Sequence, residues 1–290
     1  MNTSHRRDFL SIPIDLVRMP DVLAQILSWR EARRCGYITM VNPHSTIMCA
    51  RDTEMYFAIL DSDLALPDGV GIMLASRLLG YGLNHRLAGP SLMLSLSDAG
   101  RAHELRHFFY GGAEGVAATL AQRLAHRFPG LLISGVLCPP FHTATAAEDA
   151  ELLERINATS PDVVWVALGT GKQEKWMATH VSRLRASAVI GVGAAFDFHA
   201  GTVPWAPAWI RRAGLEWAYR LAHEPRRLWR RNLDSLVFLA RIVAQRMGRT
   251  VAPQRRSLTS ISPEYHPESP GNTGQNAPSL DCRVHSDPVG

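Results

Sequence analysis

The sequence predicts a doubly wound α/β fold, and three observations support this prediction. Short runs rich in β-branched and aromatic residues alternate with segments of helical periodicity. These runs are apolar throughout, which is typical of a parallel sheet covered on both faces. No uninterrupted apolar stretch reaches the ~20 residues that a membrane-spanning helix needs. We therefore expect a Rossmann-like, mostly parallel sheet flanked by helices over about residues 10–200.

Six short apolar runs predict the buried strands of this sheet. In chain order they cover 36–42, 63–67, 107–112, 131–137, 162–169 and 188–193. Helical periodicity lies between them, for example in 115–128 and in 146–158. In 146–158 acidic residues crowd the first turn, as the helix dipole favours.

The character of the chain changes after residue 200. From Arg211 to Arg256 the sequence has twelve arginines against three acidic residues. Pro225 does not fit inside a helix but suits the first turn of a new one. We expect one helix to end near His223 and a second to run from Pro225 to about Met247.

This change divides the chain into three predicted parts. An α/β domain covers 1–200, and a basic helical appendage covers 201–252. The last segment, 253–290, is rich in Ser, Pro, Gly, Asn and Thr and has few apolar residues. Such a composition does not offset the entropy of ordering, so we predict a disordered tail.

Charge and cysteine usage restrict the partners and the compartment. The net charge of +5 and the pI of about 9.3 favour an anionic partner: nucleic acid, anionic lipid or a phosphorylated substrate. The four cysteines have no metal-ligand or C-x-x-C spacing, which is typical of thiols in a reduced compartment. The histidines have no paired arrangement, so we expect no metal site. We predict a cytoplasmic protein.

The basic appendage leaves several interpretations open. Trp209, Trp217, Tyr219 and Trp229 among arginines suit the headgroup region of an anionic bilayer. The same residues suit nucleic-acid binding through phosphates and stacking. A solvated face of a helical cap is a third possibility, and composition does not separate the three.

Polar residues follow several predicted strands, where ligands bind in open α/β sheets. Asn42 ends the first strand and Asp68 the second, while Gln173 and Asp197 follow the fifth and sixth. For Asp68 the alternative is a helix N-cap before Gly69.

Two glycine-rich segments resemble nucleotide-binding motifs only superficially. "GTGKQEKW" suits a phosphate or a plain turn, but it lacks the spacing of a P-loop. "GVGAAFDF" follows the last strand and has no acidic residue at the position of a dinucleotide fingerprint. We therefore expect no nicotinamide cofactor and no oxidoreductase activity.

Seven motifs in order resemble the bacterial WecG/TagA/CpsF glycosyltransferases. They are "VNPHS", "ALPDGVGIMLASRLLG", "RLAGPSLM", "FFYGGAEGVA", "PDVVWVALGTGKQEKW", "GVGAAFDFHAGTVPWAPAW" and "GLEWAYRLAHEPRRLWRR". The resemblance implies an inverting transfer of a sugar from a UDP-sugar to a polyprenyl-diphosphate-linked saccharide. It implies no cofactor and no required metal, and it places the protein peripherally on the inner face of the plasma membrane. It favours an anionic membrane surface over nucleic acid as the partner of the appendage.

The resemblance also assigns roles to residues. Asp68 matches the general base, and Asp197 matches the position that contacts uracil. The appendage would supply cations for the departing diphosphate. The remaining residues implied to bind substrate are Asn42, Gly69, Gly71, Gly89, Gly169, Gln173, Arg220, Arg227 and Arg230.

Two departures from the family pattern bear on sugar specificity. Met40 stands where a threonine is frequent, and Gly89-Pro90-Ser91 lacks the acid of a frequent Gly-Ser/Thr-Asp. "VNPHS" is closer to the exopolysaccharide members, so glucose or a uronic acid is as credible a donor as N-acetylmannosamine. The tail over 253–290 is either dispensable or a docking segment for other polysaccharide-synthesis enzymes. The alternative function is a non-catalytic, basic membrane- or nucleic-acid-binding protein.

Overall fold

The structure is a computed structural model that describes residues 6–83, 85–139 and 145–248, with the backbone alone for Arg227. The predicted tail over 253–290 and the end of the predicted appendage lie outside the described residues.

A six-stranded, fully parallel sheet forms the centre of the molecule. The strands of the described residues are β1 (Arg6–Phe9), β2 (Ile12–Asp15), β3 (Gly36–Val41), β4 (Leu64–Pro67), β5 (Arg106–Gly111), β6 (Leu132–Leu137), β7 (Val163–Ala167) and β8 (Ala188–Gly191). The order across the sheet is β4-β3-β8-β7-β5-β6, and every neighbouring pair is parallel. The predicted α/β class is therefore confirmed, and the carboxyl ends of β3, β4, β7 and β8 share one edge.

The strand predictions are confirmed, with two corrections. The strand predicted over 131–137 forms as β6 but is not buried, because it lies at the edge of the sheet. The antiparallel hairpin of β1 and β2 is absent from the sequence prediction. Its four-residue strands carry charged residues and Pro13, so they lack a continuous apolar run. Asp15 joins this hairpin to β4 by accepting a hydrogen bond from the Ala65 N–H at 2.8 Å.

Helices cover both faces of the sheet. Those of the described residues are α1 (Met19–Glu31), α2 (Pro43–Cys49), α3 (Thr53–Leu60), α4 (Val70–Leu79), α5 (Gly89–Ala99), α6 (Val116–Arg127), α7 (Ala146–Ala158), α8 (Lys172–His180), α9 (Ala195–Ala200), α10 (Ala208–Arg212), α11 (Glu216–His223) and α12 (Pro225–Arg246). The apolar residues of α1, α5, α6 and α9 form one core layer. Those of α2, α3, α4 and α12, and of α7 and α8, form the opposite layer.

The basic segment folds as predicted, with α11 ending at His223 and α12 starting at Pro225. Phe238 and Ile242 of α12 are fully buried in a cluster with Ile47 of α2 and Ile72 of α4. Burial of such side chains contributes about 1.5–3 kcal/mol each. This packing holds α12 beside the carboxyl edge of the sheet. None of the described helices is long and apolar enough to cross a membrane.

Candidate active site

Asp68 lies at the carboxyl edge of the sheet, directly after β4. Its backbone N–H donates a hydrogen bond of 2.8 Å to the carbonyl of Val41, the last residue of β3. The end of β4 is thereby tied to the end of β3. Ligands of open parallel sheets bind at this edge, so the position of Asp68 is that of a ligand-facing residue.

The Asp68 carboxylate does not cap a helix. The N-cap of α4 is Gly69, and no side chain makes a capping hydrogen bond there. The capping alternative is therefore wrong. Gly69 adopts φ +83°, a conformation that favours glycine, and a Cβ built on it would meet no atom within 4 Å. The turn thus leaves open space next to the carboxylate.

The second glycine of the turn has a packing role. A Cβ on Gly71 would lie 2.3 Å from Cγ of Pro43, so only glycine lets α4 approach the start of α2 this closely. The close approach brings the first turns of both helices to the edge where Asp68 lies.

Charged residues from three segments surround Asp68. Burial raises the pKa of Asp68 above its ordinary value, and the carboxylate of Glu216 raises it further. Arg231, Arg220 and Arg86 lower the pKa and partly oppose the effect of burial. A carboxyl group with a raised pKa is a stronger proton acceptor once ionised, and this suits a general base.

Arg86 connects the sheet edge with the basic segment. Its Nη2 donates to the carbonyl of Arg211 at 2.7 Å and lies 3.9 Å from Oε2 of Glu216. Because the Leu87 N–H next to Arg86 donates to the Pro67 carbonyl at 3.2 Å, these contacts bring the start of α11 near the end of β4.

On the neighbouring strands, Gln173 presents a buried acceptor without a partner. The Gln173 side chain is 4% exposed, and its Nε2 donates to Oε1 of Glu174 at 3.0 Å. Glu174 also accepts the Gly171 N–H at 2.6 Å, so one carboxylate fixes both the glycine turn and the amide. Burial raises the pKa of Glu174, while these hydrogen bonds lower it. Oε1 of Gln173 has no partner among the described residues.

Asp197 lies in α9, which follows β8 at the same edge. Its Oδ1 is 3.4 Å from Oγ1 of Thr202, and its side chain is half-exposed. Gly193 separates β8 from α9, and a Cβ on Gly193 would lie 3.5 Å from Oε1 of Gln173. Gln173 and the loop that leads to Asp197 therefore lie together at the carboxyl edge. This edge, with Asp68, Gln173 and Asp197, is the cleft of the candidate site.

Aromatic rings join α9 to the basic helices. Phe198 stacks on Trp205 at a centroid distance of 6.3 Å, and the Arg211 guanidinium lies 3.7 Å from the Trp205 ring. The Arg220 guanidinium lies 5.0 Å from the Phe198 ring. Nε of Arg220 is buried and has no partner within the described part of the chain. This donor is available to an anion.

The structure brings only some of the predicted residues together. Arg220 lies with Asp68, but Arg230 is exposed, and its guanidinium lies 5.3 Å from the ring of its own neighbour Trp229. The Arg227 side chain lies outside the described residues. Asn42 uses its Oδ1 to cap α2 at 3.0 Å from the Ser45 N–H.

Two further predicted glycines frame the cleft. Gly89 packs at the start of α5, where its Cβ position lies 3.3 Å from the Val192 carbonyl. Gly169 precedes α8 and accepts the Gln173 N–H at 3.0 Å through its carbonyl.

Sequence reasoning missed four charged residues of the site. Arg86, Glu174 and Arg231 stand inside or beside the motifs quoted above, and Glu216 stands inside "GLEWAYRLAHE". Their neighbours Gln173 and Arg230 are the residues that sequence reasoning selected. Within a basic helix, composition does not reveal which of two adjacent arginines faces the cleft.

Metal-ligating side chains do not cluster in the described residues. No group of three His, Cys, Asp or Glu side chains there is arranged to hold a metal ion. Cys35 and Cys49 form no disulfide bond, and burial raises the pKa of each to about 12.

The parallel sheet and the charged cleft at its carboxyl edge are those of an α/β enzyme. The chain belongs to the WecG/TagA/CpsF glycosyltransferase family, whose model matches residues 7–252. The predicted family and the predicted glycosyltransferase class are thereby confirmed.

Individual relatives agree with the family match. The chain is 35% identical over 208 residues to the N-acetylglucosaminyldiphosphoundecaprenol N-acetyl-beta-D-mannosaminyltransferase of Bacillus spizizenii, covering 71% of this chain and 78% of the relative. The enzyme of the same name from Bacillus subtilis is 32% identical over 68% of this chain and 75% of its own. The one from Staphylococcus aureus is 25% identical over 77% and 87%.

Proposed function

We propose that this glycosyltransferase moves a sugar, with inversion, from a UDP-sugar to a polyprenyl-diphosphate-linked saccharide. Asp68 would accept the proton of the acceptor hydroxyl while the new C–O bond forms at the anomeric carbon. UDP would leave from the opposite face of that carbon, carrying the electrons of the broken bond.

The observation that carries this proposal is the setting of Asp68. Its carboxylate is half-buried, caps no helix, and lies beside open space at the carboxyl edge of a parallel sheet. Three arginines act on it electrostatically, so a phosphorylated ligand fits next to it. Glycosyl transfer with an anionic leaving group requires a proton acceptor for the attacking hydroxyl. It also requires fixed cations near the leaving group.

The donor half of the cleft suits a uridine nucleotide. The N3–H of uracil is a donor, and Oε1 of Gln173 is a buried acceptor that lacks a partner among the described residues. Asp197 follows on the adjacent loop. The diphosphate would lie towards Arg220, whose buried Nε has no partner in the described residues.

The relatives guide the choice of substrates. Their names specify transfer of N-acetylmannosamine to N-acetylglucosaminyldiphosphoundecaprenol. We therefore infer N-acetylmannosamine as the first donor to test and an N-acetylglucosaminyl diphosphate as the first acceptor. UDP-glucose and a UDP-uronic acid are the next donors to test, because an exopolysaccharide enzyme would use such donors.

The basic helices suit a peripheral place on an anionic membrane surface. Trp209, Trp217 and Trp229 are 69%, 52% and 49% exposed, and the exposed Arg212, Arg226 and Arg230 lie on the same helices. Such aromatic and cationic side chains partition into anionic headgroups. A lipid-linked acceptor would meet the enzyme there, on the inner face of the plasma membrane.

A donor panel tests the proposal. Purified protein with anionic vesicles and a short-chain prenyl diphosphate N-acetylglucosamine is incubated with each UDP-sugar, and UDP release is measured. We expect turnover with one donor and no turnover without acceptor. If the protein binds vesicles or DNA but neither binds nor turns over any UDP-sugar, the non-catalytic alternative is correct. Lipid binding is measured by pelleting the protein with anionic vesicles at increasing salt. Trp217→Ala removes an exposed ring, and Trp29→Phe in the core is the control for a loss of binding caused by unfolding.

A further inference from the structure

A cavity lies between the start of α1 and the start of α5, near the end of β4. Its volume is about 510 Å³, within the range of small-ligand sites. The polar residues that line it are Arg18, His85, Arg86, Ser91 and Ser95. None of the described residues that line it is acidic.

The cavity and Asp68 share the end of β4. The Leu87 N–H, from the cavity wall, donates to the carbonyl of Pro67, the residue before Asp68, at 3.2 Å. Nε2 of His85 donates to the carbonyl of Val17 at 2.8 Å, which ties the wall to the segment after β2. Arg86 both lines the cavity and acts electrostatically on Asp68.

Strand order places the Arg18 and Leu87 end of the cavity at β4, away from Gln173. Gln173 and Asp197 follow β7 and β8, which are interior strands, whereas β4 is the last strand of the sheet. From there the cavity wall continues into the start of α5, where the Gly89 Cβ position lies 3.3 Å from the Val192 carbonyl. An acceptor that reaches Asp68 from the β4 side would extend into the Arg18 and Leu87 end of the cavity.

The lining defines the chemistry of the occupant. Two arginines line the cavity, of which Arg18 is exposed and Arg86 half-buried. Ser91 and Ser95 lie one turn apart on α5 and supply hydroxyls that bind sugar or phosphate oxygens. Of the nearby acids, Asp21 accepts the Arg18 backbone N–H, and Glu216 lies 3.9 Å from Arg86. This arrangement fits a phosphorylated saccharide.

We propose that the cavity lined by Arg18, His85, Arg86, Ser91 and Ser95 binds the phosphorylated end of the acceptor saccharide. This inference rests on the proposed function, because it assumes that Asp68 receives an acceptor hydroxyl. It assigns to Arg18 a role in acceptor affinity and none in donor binding.

Binding to protein saturated with UDP tests the inference without turnover. The probes are N-acetylglucosamine 1-phosphate and its neutral methyl glycoside, measured by calorimetry. We expect the phosphate to bind at least about tenfold more tightly than the glycoside, and Arg18→Glu to remove this preference. Arg18→Lys retains most of it. Arg185→Ala, an exposed arginine just before β8 at the opposite edge of the sheet, is the matched control.

Steady-state kinetics then show whether the phosphate that binds in the cavity belongs to the acceptor or to the donor. Arg18→Glu is expected to raise the KM for the prenyl diphosphate acceptor about tenfold and to leave the donor KM unchanged. A raised donor KM would place the donor diphosphate in the cavity and overturn the inference. Equal binding of phosphate and glycoside would overturn it as well. If wild-type protein binds the sugar phosphate but releases no UDP with any donor, the proposed function fails while the anion site stands.

Discussion

Nδ1 of His44 lies 2.7 Å from Oδ2 of Asp234, and this contact joins α2 to α12. Both side chains are mostly buried, with exposed fractions of 23% and 14%. Asp234 stands one turn after Arg231 on α12, and His44 stands two residues after Asn42. The pair therefore fixes the helix that brings Arg231 to Asp68.

Breaking this contact is expected to lower kcat by roughly tenfold to a hundredfold, because a misplaced Arg231 no longer faces Asp68. Burial lowers the pKa of His44, so the neutral imidazole donates its Nδ1–H to the carboxylate. His44→Ala is compared with His126→Ala, an exposed histidine on α6. Amide exchange over 225–246 is measured beside kcat. Unchanged exchange and kcat in His44→Ala would refute this role.

The charges around Asp68 predict opposite shifts of the pH–rate profile. Ionised Asp68 is the active form, so kcat/KM falls as the pH drops through its raised pKa. Glu216→Gln removes a negative charge that raises the pKa, and the acid limb moves to lower pH. Arg220→Ala removes a positive charge that lowers the pKa, and the limb moves to higher pH. Glu151→Gln, at an exposed position of α7, is expected to leave the limb unchanged. If Glu216→Gln and Arg220→Ala move the acid limb in the same direction, the charges of these residues do not set the pKa of Asp68.

The Oε1 of Gln173, which has no partner among the described residues, is predicted to accept a hydrogen bond from the uracil N3–H. N3-methyl-UDP lacks the N3–H donor, so it should bind wild-type protein several-fold more weakly than UDP does. Gln173→Ala should bind UDP several-fold more weakly and should no longer distinguish the two nucleotides. Equilibrium dialysis measures the four dissociation constants. If the methyl group weakens binding equally in both proteins, Gln173 does not accept the N3–H.

His107 predicts a loss of stability in mild acid that is unrelated to activity. The side chain is fully buried on β5, and its Nδ1 accepts the Trp165 Nε1–H at 3.0 Å. Burial lowers the pKa of His107 to about 4, below the value of about 6.5 in an unfolded chain. The unfolded state therefore binds the proton more readily, and the free energy of unfolding falls from pH 6.5 towards pH 4, by about 3 kcal/mol.

The variant His107→Gln keeps an acceptor for Trp165 and does not titrate. Its urea-unfolding free energy is expected to vary less between pH 7 and pH 5 than that of the wild type. The same slope in both proteins would mean that other groups dominate the acid response.

The fold was predictable because its signal is local and redundant. Five buried strands and the helix start at Pro225 each follow from a run of apolar residues or from one residue's backbone limits. The β1–β2 hairpin was not predictable, since its stability comes from tertiary contacts such as Asp15 with Ala65.

The site was predictable only at the strand ends. Asp68, Gln173 and Asp197 follow strands directly or by a short loop, so topology alone brings them to one edge. Arg231 comes from a distant helix, and the rotation of α12 selects it over Arg230. That rotation depends on Phe238 and Ile242 packing against α2 and α4. No local pattern encodes it.

The most direct test of the account is UDP release by Asp68→Asn, with Asp61→Asn as the matched control at the opposite end of β4. Because the folded pKa of Asp68 lies above the unfolded value, its ionisation destabilises the fold as pH rises. Asp68→Asn should therefore melt no lower than the wild type at pH 7 and bind UDP normally. We expect its rate to fall by about 10²–10⁴-fold while Asp61→Asn retains the wild-type rate. A folded, donor-binding Asp68→Asn with the wild-type rate would contradict the assignment of Asp68 as the base.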